Sequence, residues 1–199
     1  MHKATFPLLF SQLQSTQCAL AIRLRLFGEQ HSSVADSCHL LGVTQHAQGD
    51  FSVALHCKQC VLDGRLKLVG DEHWSTADSY HLLGHTQHAL GDFTSAVYSK
   101  QRTLDTRLKL FGERHASAAD SYHSPGDTQH ALGDFLSAVF SKQRALDIRL
   151  ELFGEGHPSV AESSFELAII HKGRFEDTSA CQSAEHGIDI FEKLSALEH

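Results

Sequence analysis

Histidine and aspartate are the residues whose spacing could do chemistry in this chain. Asp78, His81, His85 and His88 fall at steps of three and four, so a helix carrying them places all four along one side. The same pattern stands 42 residues earlier as Asp36, His39, Val43 and His46, and 42 residues later as Asp120, His123, Asp127 and His130. One further step gives Glu162, Phe165, Ile169 and Lys172, so the stripe turns apolar toward the C-terminal end. Imidazole titrates near neutrality, and complete protonation of the 16 histidines would carry the formal charge from −7 to +9. Three uses follow: solvated polar residues copied along with a repeat, a peptide-binding groove whose charge tracks pH, or a metal site. His81 and His85 have a helical spacing that can chelate zinc. No glutamate lies between them and no third ligand is evident, so no metal and no other cofactor is expected.

The remaining reactive groups point away from catalysis. Cys57-Lys58-Gln59-Cys60 is a lone C-x-x-C without a second pair or a preceding strand, and Ser99/Arg102 and Ser141/Arg144 occupy its equivalents, which reads as a tolerated surface site. Lys100-Gln101-Arg102 and Lys142-Gln143-Arg144 read as the solvated face of a helix, or else as a patch for an acidic partner. There is no phosphate-cradling glycine loop, no H-E-x-x-H and no nucleophile elbow. An active site needs one unrepeated constellation, whereas these groups recur every 42 residues. The expectation is therefore no catalytic residues and no enzyme.

Composition narrows the class further. The 199 residues are 41% apolar and 21% charged, neither disordered nor fibrous. No apolar run approaches the roughly 18–20 residues a bilayer requires, and the apolar patch within 1–10 is too short for a secretory signal. Five cysteines, an odd number without paired spacing, fit a reduced cytoplasmic protein. A net charge of −7 argues against nucleic acid as a partner.

The elements that must position the stripe come from the repeat itself. A shift of 42 aligns Arg23, Arg65, Arg107 and Arg149, then Gly28, Gly70, Gly112 and Gly154, then His31, His73, His115 and His157. Residues 65–106 and 107–148 share 30 identities in 42 positions. Each unit reads as two helices. The first opens at a capping-box pattern, Ser75…Asp78 with Ser33…Asp36, Ser117…Asp120 and Ser159…Glu162 as equivalents, and ends at Leu90 before Gly91. Asp92 then caps a second helix, 93–111, which Gly112 stops. The buried stripes are Ala77, Tyr80, Leu83, Gly84, Gln87 and Leu90 on the first, and Phe93, Ala96, Val97, Leu104, Leu108 and Phe111 on the second. The implied organisation is an N-terminal segment 1–29 with an orphan second helix at about 10–27, then repeats at 30–71, 72–113, 114–155 and 156–199. In the third repeat Pro125 falls about eight residues inside a helix, which predicts a kink and the weakest local stability.

Tyr80-x-x-Leu83-Gly84 followed by Gly91-x-Phe93-x-x-Ala96 and Leu104 resembles the tetratricopeptide consensus. The 42-residue period and the linker His157-Pro158-Ser159-Val160-Ala161 are similar to the kinesin light chain and nephrocystin type. Tyr80 stands where that consensus has Trp, and Gln87 where it has Tyr. The resemblance implies an all-α, right-handed superhelical solenoid of stacked helix-turn-helix repeats, whose first helices hold a ligand on a concave face. The 16 stripe residues above are then the candidate groove. The reading is a scaffold or adaptor for a protein or peptide, with self-stacking through exposed ends also open. A structural spacer or sensor-arm fragment of a longer signalling protein is the alternative, and a His-rich metal-binding or hydrolytic protein a remote one.

Overall fold

The structure, a computed structural model, describes residues 5–28, 32–174 and 176–197. Among the described residues there are nine α-helices and no strand: α1 (Thr5–Phe27), α2 (Ser32–Gln48), α3 (Phe51–Val69), α4 (Trp74–Ala89), α5 (Phe93–Phe111), α6 (Ala116–Leu132), α7 (Phe135–Phe153), α8 (Pro158–Gly173) and α9 (Asp177–Leu197). The orphan first helix is therefore longer than expected, beginning at Thr5. Two compact units divide within α5, one ending at Ser99 and the other starting at Lys100.

Glycines set the spacing of the elements. Gly28, Gly49, Gly70, Gly91, Gly112, Gly133 and Gly154 all adopt positive φ, and they stand 21 residues apart, one after each of α1 to α7. At Gly70 and Gly154 φ is near +80° with ψ close to 180°, a region open essentially to glycine alone. Helices α3, α5 and α7 then restart on an aspartate. Asp50, Asp92 and Asp134 accept the backbone N–H of Val53, Ser95 and Ser137, as expected of Asp92.

The opening of the first helices departs from the sequence reading. The cap is the histidine, and the serine two residues on lies inside the helix. His73, His115 and His157 have extended backbones, and their Nδ1 atoms accept the N–H of Ser75, Ser117 and Ser159 at 3.1–3.2 Å. No capping box forms, because the aspartate at position 78 or 120 is already a turn further in. His31 lies outside the described residues.

The core follows the expected stripes with two exceptions. Ala77, Tyr80, Leu83, Ala96 and Leu104 are buried, but Leu90 and Phe111 are exposed at their helix ends. Phe111 stacks instead on His115, and Phe153 on His157. In the first unit Leu62, Tyr80 and Leu83 form a cluster with Leu55 and Leu66; in the second, Leu146, Val160, Ala161, Leu167 and Ile190 do so. Gln87, which departs from the consensus, accepts from the Ser99 hydroxyl at 2.7 Å, and Gln129 does the same with Ser141 at 2.8 Å. A polar pair has replaced an aromatic.

One residue of the 42-residue register acts as a clasp between successive hairpins. Arg23, Arg65, Arg107 and Arg149 donate to the hydroxyls of Ser37, Ser79, Ser121 and Ser163 at 2.5, 2.8, 3.1 and 2.6 Å. Each arginine stands four residues before the end of a second helix, and each serine sits on the buried side of the next first helix.

Pro125 does not interrupt α6, which runs unbroken from Ala116 to Leu132. Pro125 is fully buried, so its apolar ring fills core space that the missing leucine would have taken. The proline still lacks an N–H to donate. Amide exchange across 117–132 is therefore expected to outpace exchange across 75–90 in a native-state hydrogen-exchange experiment; equal protection would refute this.

Candidate functional site: the first-helix stripe and a buried lysine series

The candidate groove residues divide into two groups. Asp36, Val43, His85, Asp120, Asp127, Glu162, Ile169 and Lys172 are exposed, while His39, Asp78, His81 and Phe165 are half-buried. His46, His88, His123 and His130 are half-buried as well. His46, His88 and His130 pack edge-on or tilted against Phe51, Phe93 and Phe135 at 5.0, 5.1 and 5.5 Å between ring centres. They close the hairpin turns. His81 and His85 lie edge to face at 4.5 Å. Burial lowers the pKa of His39, helped by the positive charges of Arg65 and Lys58.

The structure corrects the reading of the lysines. Lys58, Lys100 and Lys142 are 2–4% exposed, so the lysines of Lys100-Gln101-Arg102 and Lys142-Gln143-Arg144 leave the solvated face on which Gln101 and Gln143 remain. Helical period would have found them: each lysine stands four residues after a fully buried alanine, Ala54, Ala96 or Ala138. The C-x-x-C reading shifts likewise, since Cys57 is buried and only Cys60 is exposed. Small residues let the lysine stems in. A Cβ on Gly42 would meet Lys58 Cγ at 3.2 Å, and one on Gly126 would meet Lys142 Cγ at 3.0 Å.

Each ammonium finds a different receiver. Lys58 Nζ donates to Thr86 Oγ1 at 2.6 Å, and burial lowers its pKa. Lys100 Nζ donates to Thr128 Oγ1 at 2.7 Å and the Ser124 carbonyl at 3.0 Å. With no carboxylate in that shell, burial brings the Lys100 pKa down to about 8, against the raising pull of Asp127. The register of Thr86 and Thr128 falls next on Ile170, which cannot accept. Lys142 turns instead to Asp127 at 2.5 Å and Glu166 at 3.0 Å, with His123 Nδ1 at 3.1 Å. Burial alone would raise the Glu166 pKa, but the hydrogen bond from His123 and the charge of Lys142 prevail and hold it at about 2.

His123, Asp127 and Glu166 place ligand atoms within 4.8 Å of one another, a spacing that suits a metal ion. The cation among them is the Lys142 ammonium, so a metal would have to expel a buried side chain. Glu166 was missed by sequence reasoning because its register equivalents are Leu40, Leu82 and Ser124, leaving no recurring signal.

Two clefts lie among the described residues. One in the first unit, about 380 Å³, lies among Gln59, Leu66, Tyr80, Gln87 and Tyr98. The other, about 500 Å³, lies between α8 and α9 and takes Phe165, Ile169 and Lys172 of the candidate groove into an apolar lining with Ala168, Ala180, Cys181 and Ala184.

Residues 75–151 match a family model described as tetratricopeptide repeat. That segment is similar to tetratricopeptide repeats. No curated protein sequence matches the chain. Among solved structures, the tetratricopeptide hairpins are similar to a kinesin light chain-like protein of Podosopora anserina with nearly identical TPR-like repeats, at 23% identity and a TM-score of 0.86 over 94% of this chain and 88% of that one. BtubC (BKLC) from P. vanneervenii is similar at 18% identity and a TM-score of 0.76, over 94% and 92%. The apo form of RapI matches at 14% identity and a TM-score of 0.77, over 93% of this chain and 49% of that one. At these identities the likeness shows the fold alone, an all-α tetratricopeptide fold. Among the described residues no helix is long and apolar enough to cross a membrane.

Proposed function

We propose that this chain is a non-enzymatic interaction scaffold that binds a cationic peptide segment or partner helix along the outer stripes of α2 and α4. The supporting observation is that Asp36, His39, Val43 and Asp78, His81, His85 recur 42 residues apart at the surface, while Val34, Ser37, Leu41, Thr76, Ser79 and Leu83 of the same helices are buried. Periodic groups of this kind suit a linear partner, and the acidic balance of the chain favours a basic one. The tetratricopeptide fold is one commonly used for protein interaction.

The test compares wild type with an Asp36→Asn/Val43→Ser/His85→Ala variant against fluorescent lysine- and arginine-rich peptides, read by polarisation. These side chains are all exposed, so circular dichroism should not change. At least tenfold weaker binding is expected. Wild-type affinity should also fall as acid protonates His39, whose pKa burial lowers, since a protonated imidazole repels a cationic peptide. Identical affinities for both proteins would instead favour a structural spacer.

A further inference from the structure

Within the second unit α8 is held against α6 and α7 by polar groups. Arg149 bonds Ser163, and Lys142 and His123 both meet Glu166. Advancing the holding residues by 42 shows what the next face offers. Phe165 stands for His123, Ile169 for Asp127, Ala184 for Lys142 and Phe191 for Arg149. The face of α8 and α9 is the same surface with every one of those polar groups exchanged for an apolar one. The 500 Å³ cleft lies on it, and Ile169 and Phe191 are 61% and 43% exposed.

That exchange selects the occupant. A helix of the α8 type would bury a serine and a glutamate here with no arginine or lysine to receive them. The face calls for a helix with an aliphatic side free of carboxylates. One helix of this chain answers that description. Over residues 5–27 α1 has no Asp or Glu, and its charges are Arg23 and Arg25. Cys18, Ala21, Ile22 and Arg25 are exposed along one side of it. Ile22 matches Ile148 in register, which is buried against Ala118 and Ala119. Ile22 is thus a core-type position left open at 57% exposure. Charge agrees: residues 158–197 carry seven carboxylates against three lysines and arginines.

We propose that the α8–α9 cleft docks helix α1 of a second copy, head to tail. Such a contact uses two different patches and leaves one of each free, so it propagates into chains or closes into rings. The test is sedimentation velocity from micromolar to near-millimolar concentration on wild type, Cys181→Glu and Ile22→Glu, each checked for helicity. Wild-type mass is expected to grow with concentration, and either single variant to remain monomeric. An equimolar mixture of the two variants should give one-to-one dimers that grow no further, because each copy retains one sound end. A wild type that stays monomeric throughout overturns the proposal. So does a mixture that fails to pair, or growth that survives either substitution.

Discussion

Lys142→Ala is expected to destabilise the protein by about 2–4 kcal/mol in urea denaturation, the largest loss of any single change among the lysines. Two causes add. The substitution empties the space that the lysine stem fills against Gly126, and it leaves Asp127 and Glu166 facing one another without the cation between them. Both carboxylates are partly solvated, at 48% and 34% side-chain exposure, which keeps the loss below the upper end known for breaking buried pairs. Lys142→Met should cost distinctly less, since it refills the volume. The acid limb supplies an independent check. Glu166 has its folded pKa depressed to about 2, so it contributes stability above the unfolded value near 4.5 that is lost as pH falls toward 2. That dependence should shrink in both variants; an unchanged acid limb would refute the network.

Lys100→Met is expected to act in the opposite direction, stabilising by about 1–3 kcal/mol at pH 7. Lys100 is as buried as Lys142, yet its bonds are to a hydroxyl and a carbonyl, which repay the desolvation of an ammonium only in part. The loss of those two bonds sets the lower end of the range. The sign with pH follows from linkage. The folded pKa is about 8 and the unfolded one about 10.5, so between them the unfolded chain binds more protons. Wild-type stability should therefore rise across that window as the burial penalty is relieved, and Lys100→Met should rise less. Equal slopes from pH 8 to 10.5 would show that Lys100 is not the group responsible.

The fold was legible because repetition amplifies weak signals. A single glycine or aspartate says little about where a helix ends, but Asp50, Asp92 and Asp134 in one register, each followed by a buried alanine, leave one arrangement. The errors came where a residue type was trusted over its position. Serine before a carboxylate looks like a cap, but the histidine two residues ahead supplies an acceptor whose reach fits the same amide. Lysine beside glutamine and arginine looks solvated, although its spacing from Ala96 and Leu104 puts it inside. The candidate stripe was legible as a set of surface positions. The packing of His46, His88 and His130 was not, since it depends on a phenylalanine across the hairpin turn. Glu166, present once, had no periodic signature.

The lysine series gives the hairpins a fixed sequence order. Thr86 receives Lys58, Ser124 and Thr128 receive Lys100, and Glu166 receives Lys142, so each copy carries the lock for its predecessor's key. Near-identical modules are therefore not interchangeable. A shuffled gene that set α8 opposite Lys58 would hand that ammonium the Glu166 carboxylate in place of the Thr86 hydroxyl, so recombination among these duplicates would change the polar partners of the interior.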